Sequence, residues 1–302
     1  MRYFIIAFTL ITSVIVNHSY AQQQAMFTQY MFNQLVLNPA YAGSHETLSL
    51  TALARYQWTG IDGAPNTQTF SAHSPVFNDK VGVGLVVSND EIGPTNQLNV
   101  TGIYSYKIKF NNGSLRFGLQ GSFVQYKENF NDLANNNGTD NAFSQNITES
   151  APNFGAGLYY ENSRFYAGLS SPFLLNNSFG NEGSSSKLRQ HYFATAGYLI
   201  DFSPSLKLKP NVLLKAVEGA PMEFDVNANL LIREVLWLGA SYRSLDSFDF
   251  LMELVLSEQF RIGYAYDQTV TDLNKVSGGT HEFMLNYRLK LSKDKILTPR
   301  YF

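Results

Sequence analysis

The chain contains no cysteine. That excludes a disulfide scaffold, a thiolate zinc site and a cysteine nucleophile. Charge is also scarce: 15% of the 302 residues are Asp, Glu, Lys or Arg, and the formal net charge is -2. An average protein carries about 25% charged residues. With no basic block, the chain is not a nucleic-acid binder. Past the first twenty residues there is no apolar run of the roughly 18 residues that a membrane helix needs. Tryptophan is nearly missing (2), yet Tyr (18) and Phe (23) lift the aromatic share to 14%. That load, with 22 Gly, argues against disorder. Mean hydropathy resembles that of a soluble protein, but lipid-facing and lumen-facing residues cancel in a membrane barrel. The mean therefore excludes neither.

The first 21 residues read as a secretory signal peptide. Arg2 supplies the positive start, Tyr3 to Val16 an apolar stretch, and Ser19-Tyr20-Ala21 the small residues of a cleavage site. No cysteine follows to carry a lipid. An exported chain without a membrane helix is periplasmic, secreted or an outer-membrane barrel.

Period-2 alternation dominates from residue 47 onward. Leu48, Leu50, Ala52, Ala54 and Tyr56 alternate with Thr47, Ser49, Thr51 and Arg55. Phe260, Ile262, Tyr264 and Tyr266 alternate with Arg261, Gly263, Ala265 and Asp267. Fourteen such segments follow one another, at 47–57, 67–75, 80–89, 97–110, 114–128, 152–162, 164–172, 188–200, 205–217, 222–231, 236–245, 248–257, 260–269 and 280–291. Most are 9–14 residues long. About ten tilted residues cross a bilayer as a strand.

Connections such as 111–113, 161–163 and 232–235 are tight, whereas 58–66, 90–96, 129–151, 173–187 and 270–279 are long. Short turns at one rim and longer loops at the other predict an all-β transmembrane antiparallel β-barrel, with periplasmic turns and extracellular loops. An even strand count places both ends of the chain at the turn rim. Closure is required, because no backbone polar group can stay unpaired in lipid. Tyr104, Tyr106, Tyr159, Tyr160, Tyr264, Tyr266 and Tyr287 suit interfacial girdles.

The polar faces carry Lys207, Lys209, Lys215, Asp225, Arg243, Glu253, Arg261, Asp267, Glu282 and Arg288. An Arg or Lys facing lipid near the midplane costs roughly 2–4 kcal/mol, so these charges belong in the lumen. Residues 22–46 do not alternate and are too apolar for a solvated tail. They are expected to pack inside the lumen or against the periplasmic rim. Residues 292–302 form a periplasmic tail. The division is therefore signal peptide 1–21, N-terminal segment 22–46, barrel 47–291 and tail 292–302.

Catalytic motifs are lacking. His45, His73, His191 and His281 show no metal-ligand spacing, and no G-x-S-x-G occurs. Asn89-Asp90-Glu91 matches no EF-hand. The reading is a non-enzyme without a cofactor or metal.

The run Phe27-Thr28-Gln29-Tyr30-Met31-Phe32-Asn33, followed by Leu37-Asn38-Pro39-Ala40-Tyr41-Ala42-Gly43, resembles the N-terminus of the PorP/SprF family. So do Arg55-Tyr56-Gln57-Trp58 with Gly60, Gly63-Ala64-Pro65 and Thr67-Gln68-Thr69. Further matches are Gly82-Val83-Gly84, Asn89-Asp90, Ile92-Gly93-Pro94-Thr95 and the ending Pro299-Arg300-Tyr301-Phe302. These blocks lie in order along nearly the whole chain, with little match between about 129 and 190. The resemblance implies an outer-membrane barrel of the type IX secretion system of Bacteroidota. Such a barrel assists export or surface attachment of a partner, such as an adhesin of gliding cells, that bears a C-terminal sorting domain. It also implies work beside secretion components that include a periplasmic peptidoglycan-binding lipoprotein. Partner-contact candidates within the matched blocks are Tyr30, Asn33, Asn38, Pro39, Tyr41, Trp58, Gly60, Gly63, Pro65 and Asp90. The alternative reading is a passive porin or small-solute channel.

Overall fold

Strands that carry one apolar and one polar face bury neither in an open sheet, and here they close on themselves. A computed structural model describes residues 24–45, 47–129, 146–180 and 186–289. The predicted signal peptide and the predicted C-terminal tail lie outside the described residues. The strands are β1 (Leu48–Tyr56), β2 (Asn66–Val76), β3 (Val81–Ile92), β4 (Thr95–Phe110), β5 (Gly113–Glu128), β6 (Ile147–Glu161), β7 (Phe165–Ser171), β8 (Ser178–Phe179), β9 (Ser186–Lys187), β10 (His191–Tyr198), β11 (Ile200–Ser203), β12 (Leu206–Val217), β13 (Glu223–Ile232), β14 (Leu236–Arg243), β15 (Ser247–Val255), β16 (Phe260–Thr269) and β17 (Thr280–Leu289).

All pairings are antiparallel. β1 pairs with both β2 and β17, and β10 bridges β7 and β12, so the wall has no free edge. β11 continues the line of β10 along β12 after a break at Leu199. Counted as one, they make a closed barrel of fourteen strands, and each predicted segment overlaps one of them. β8 and β9 form a separate small hairpin inside the loop after β7.

The alternation follows from the two solvents. On β1, Ser49, Thr51, Leu53 and Arg55 point inward and are buried. Across the outer face Phe70, Leu119, Phe123, Phe154, Leu169, Phe250 and Phe283 stand exposed. Such a continuous apolar surface suits lipid and no aqueous solvent.

Three expectations need correction. Residues 90–96 are not a long loop: β3 and β4 run on to Ile92 and Thr95, joined by a two-residue turn at Gly93–Pro94. Tyr159 is not a girdle residue. It neighbours Tyr160 along one strand, so the two must face opposite ways, and Tyr159 points inward, fully buried. The third concerns the chain's N-terminal end. The wall does begin and end at the turn rim, but the residues before it run up through the lumen, so that Gln24 lies at the loop rim beside His191.

The wall is uneven in height. β4 and β5 have 16 residues each, whereas β14 has 8. At ~3.3 Å per residue β4 spans roughly 50 Å along its axis, well beyond a bilayer crossing. The excess lies at the loop rim, over β3–β6.

Candidate functional site

Residues 24–45 occupy the lumen with three short 3-10 turns, Tyr30–Phe32, Gln34–Val36 and Pro39–Tyr41, joined by Asn33 and by Leu37-Asn38. Asn38 starts the last of these. Its Oδ1 accepts from Ala40 N at 2.9 Å, and Pro39 takes the first helical position, where its missing N–H costs nothing. The same Asn38 donates from Nδ2 to the Leu158 carbonyl at 2.9 Å. Every side chain from Thr28 to Tyr30 and from Pro39 to Tyr41 is buried.

The wall is cut to receive this backbone. Gly82, Gly118 and Gly157 face inward, and a Cβ at each would fall inside van der Waals contact of Ala42, Ala40 and Asn38 respectively. Serines replace larger residues elsewhere along the path: Ser105 Oγ donates to the Ala42 carbonyl (2.6 Å), and Ser170 Oγ to the Leu37 carbonyl (2.7 Å). At the turn rim the Tyr41 ring meets Tyr159 edge-on with centroids 5.3 Å apart. His73 Nδ1 accepts from Gly43 N (3.1 Å).

A buried ion network clamps the upper end. Glu282 accepts the backbone N–H of Thr28 (2.9 Å) and of Gln29 (2.8 Å). Thr28 Oγ1 donates to Asp267. Arg55 bridges the two acids, 2.8 Å from Asp267 and 3.1 Å from Glu282. Arg243 reaches Asp225 at 3.3 Å and Asp267 at 3.7 Å.

All ten predicted lumen charges sit on inward faces. Asp225, Arg243, Asp267 and Glu282 converge on the clamp. Lys215 pairs with Glu223 (3.2 Å), Arg261 with Glu253 (3.2 Å), and Lys207 with Glu234 of a tight turn. Lys209 is 1% exposed, its ammonium 4.8 Å from the Phe32 ring centre and 4.9 Å from that of Trp237. Arg288 contacts His45 at 3.1 Å. Thr28 and Arg55, which hold the clamp together, are not among the residues singled out from sequence. Arg55 lies on a predicted polar face, but its partners are 212 and 227 residues away, a proximity that only closure creates.

The predicted contact residues separate into two groups. Tyr30, Asn33, Asn38, Pro39 and Tyr41 are sequestered in the plug. Asn227 donates to the Tyr30 hydroxyl (2.7 Å), and Ser71 to Asn33 Oδ1 (2.9 Å). Trp58, Gly60, Gly63 and Pro65 form the loop after β1 at the open rim. Trp58 holds φ at 51°, unusual for a bulky residue, and Gly60 and Gly63 are at 91° and 72°. Neighbours brace this loop: Thr59 N donates to the Gly279 carbonyl (2.8 Å), and Gly93 N to the Gly63 carbonyl (2.9 Å).

Asp90 belongs to neither group. It lines a cavity at the loop rim, between the plug and the tall strands β2–β5. The volume is about 960 Å³ when the space open to solvent is included. The loop after β7 folds over it: Phe173 and Leu188 form part of the lining, and Gln120 Nε2 donates to the Pro172 carbonyl at 2.8 Å. The wall contributes Thr67, Thr69, Ser88, Gln97, Asn99 and Thr101, and the plug Gln24, Phe27 and Leu35. The arrangement is a concave, mixed polar and apolar surface opening outward. The lumen beneath is filled by the chain itself.

Comparison with known proteins agrees with this fold. The family described as type IX secretion system membrane protein PorP/SprF matches residues 19–287. Among curated proteins, none matches the chain in sequence. Of solved structures, the CymD monoaromatic hydrocarbon channel superposes with a TM-score of 0.54 at 10% identity, covering 89% of this chain and 94% of that one. Outer membrane protein Omp33 of Acinetobacter baumannii gives 0.48 at 9% identity over 82% and 100%. A FadL homologue of Pseudomonas aeruginosa gives 0.46 at 12% identity over 87% and 94%. At such identities the likeness to CymD speaks for the fold alone.

Proposed function

Because the chain belongs to the PorP/SprF family of type IX secretion system membrane proteins, we propose that it serves as a receptor barrel. In this reading it assists export or surface attachment of a partner protein bearing a C-terminal sorting domain. The observation that carries the reading is the plugged lumen: a barrel filled by its own residues 24–45 offers the outside a binding surface instead of a conduit. The clamp and the inward glycines support a plug that stays in place while the loop rim works. The partner, an exported protein such as an adhesin, meets the rim formed by Trp58–Pro65 and the cavity beside Asp90. The turn rim faces the periplasmic components of the secretion system, a peptidoglycan-binding lipoprotein among them. Residues 1–21 direct export and are removed. The barrel binds and positions; it needs no cofactor and catalyses no reaction.

Deleting the gene and comparing the cell-surface proteins of the two strains tests this. The expected result is loss of one or a few large exported proteins that carry the sorting domain. An unchanged surface would overturn the reading.

A second reading is a small-solute channel, the role that CymD's description, a monoaromatic hydrocarbon channel, gives to a barrel of similar fold. It requires the plug to move. Steady conductance of the intact barrel in planar bilayers would favour it.

A further inference from the structure

We propose that the cavity at the loop rim takes a cationic side chain, lysine or arginine, of a polypeptide, with Asp90 as its counter-charge. The proposal rests on the receptor reading and deepens it.

Among the described residues, Asp90 is the one ionisable residue in the cavity lining. It is half-buried, and no cation lies within ion-pair distance of it among the described residues. Its hydrogen bond is from the Thr67 hydroxyl, at 2.6 Å, directly opposite it in the β2–β3 register. A carboxylate withdrawn from water without a cation is costly, and a cation brought by a ligand removes that cost. Of the other lumen charges described above, Arg288 meets His45 and the rest have a partner of opposite sign or an aromatic face; Asp90 has one hydroxyl.

Two further polar atoms in the lining lack a partner. Thr69 Oγ1 and Gln24 Oε1 are buried and make no hydrogen bond among the described residues. Thr69 lies two positions from Thr67 on the same inner face of β2, beside Asp90. A carboxylate, an amide oxygen and a hydroxyl are acceptors, and an ammonium or guanidinium group brings only donors. Phe27, Val86 and Phe173 supply apolar surface to the same cavity, which suits the methylene stem of Lys or Arg. A neutral sugar would leave Asp90 unpaired, and an anion would be repelled.

The test uses the full mature chain in detergent and three probes: the N-acetyl, N-methylamide derivatives of lysine, arginine and norleucine. Norleucine has the stem without the charge. Calorimetric titration is expected to show the cationic probes binding at least tenfold more tightly than norleucine. Asp90→Asn keeps an acceptor for Thr67 and is expected to bring the three within about twofold. Thr69→Val is expected to weaken the cationic probes severalfold while preserving their advantage. Heat-shifted migration on gels confirms that each variant is a folded barrel. Equal binding of norleucine and lysine, or an unchanged preference in Asp90→Asn, would overturn the proposal.

The two readings fail separately. If Asp90→Asn loses the lysine probe but still places the exported protein on the cell surface, the cavity has no part in recognition and the receptor reading stands. If the wild-type barrel binds lysine but its deletion costs the surface nothing, the receptor reading fails and the cation site stands.

Discussion

The Glu282 carboxylate receives the backbone N–H of Thr28 at 2.9 Å, across 254 residues of sequence. With the adjacent N–H of Gln29 bound at 2.8 Å, one side chain fixes the upper end of the plug. Glu282 is fully buried and also holds Arg55. Replacing it by Ala leaves Arg55 without one of its two acids and two backbone donors without an acceptor. Removing one member of a buried pair typically costs about 3–5 kcal/mol. Glu282→Ala is therefore expected to free residues 24–29 for proteolysis while the barrel keeps its heat-shifted migration. Limited proteolysis with N-terminal sequencing reads the result.

The inward glycines give the second prediction. Gly118→Val and Gly157→Leu put side chains where the backbone of Ala40 and the side chain of Asn38 now lie. The plug cannot shift sideways, because Ser105 and Ser170 hold it on either side. Both variants are expected to displace it and open a steady conductance in planar bilayers that the wild type lacks. A closed Gly157→Leu barrel would mean the plug has slack that the packing does not show.

Topology gives the third. The chain has no cysteine, so single cysteines report cleanly. Asp272 is 93% exposed in the loop before β17, and Phe77 is 81% exposed in the turn after β2. In intact cells an impermeant maleimide is expected to label Asp272→Cys and not Phe77→Cys. The reverse pattern would turn the barrel upside down and put the cavity in the periplasm.

The loop after β1 gives the fourth. Gly63 holds φ at 72°, and a Cβ there would come within 3.2 Å of the Gly93 Cα. An L-residue forced into the left-handed region costs roughly 1–2 kcal/mol. Gly63→Val is expected to loosen the rim locally, raising amide hydrogen exchange at residues 57–65 while the β1–β2 core stays protected.

The fourteen strands were legible because lipid and lumen impose opposite demands on alternate residues, as Phe70 and Thr69 show on β2. The reading failed where those demands lapse. β3 and β4 rise above the bilayer near Asp90 and Gln97, where both faces can be polar, so the alternation faded and a loop was expected. Tyr159 was misplaced because its composition suits either face; only its register against Tyr160 decides. The lumen charges could be assigned to a face but not to partners, because Arg55 meets Asp267 and Glu282 only when β1 closes against β17. The cavity was illegible for the same reason. Thr69, Asp90, Gln120, Phe173 and Gln24 come from three wall strands, a loop and the plug, and no local pattern joins them.

The central claim is that a closed barrel holds an exported polypeptide at its outer rim. Co-purification tests it most directly: the tagged barrel is extracted from its native host in mild detergent, and the chains that accompany it are identified by mass spectrometry. The account predicts a large exported protein in stoichiometric amount, bound through its C-terminal domain and released when that domain is removed. A barrel that purifies alone, from growing and from surface-moving cells alike, would contradict it.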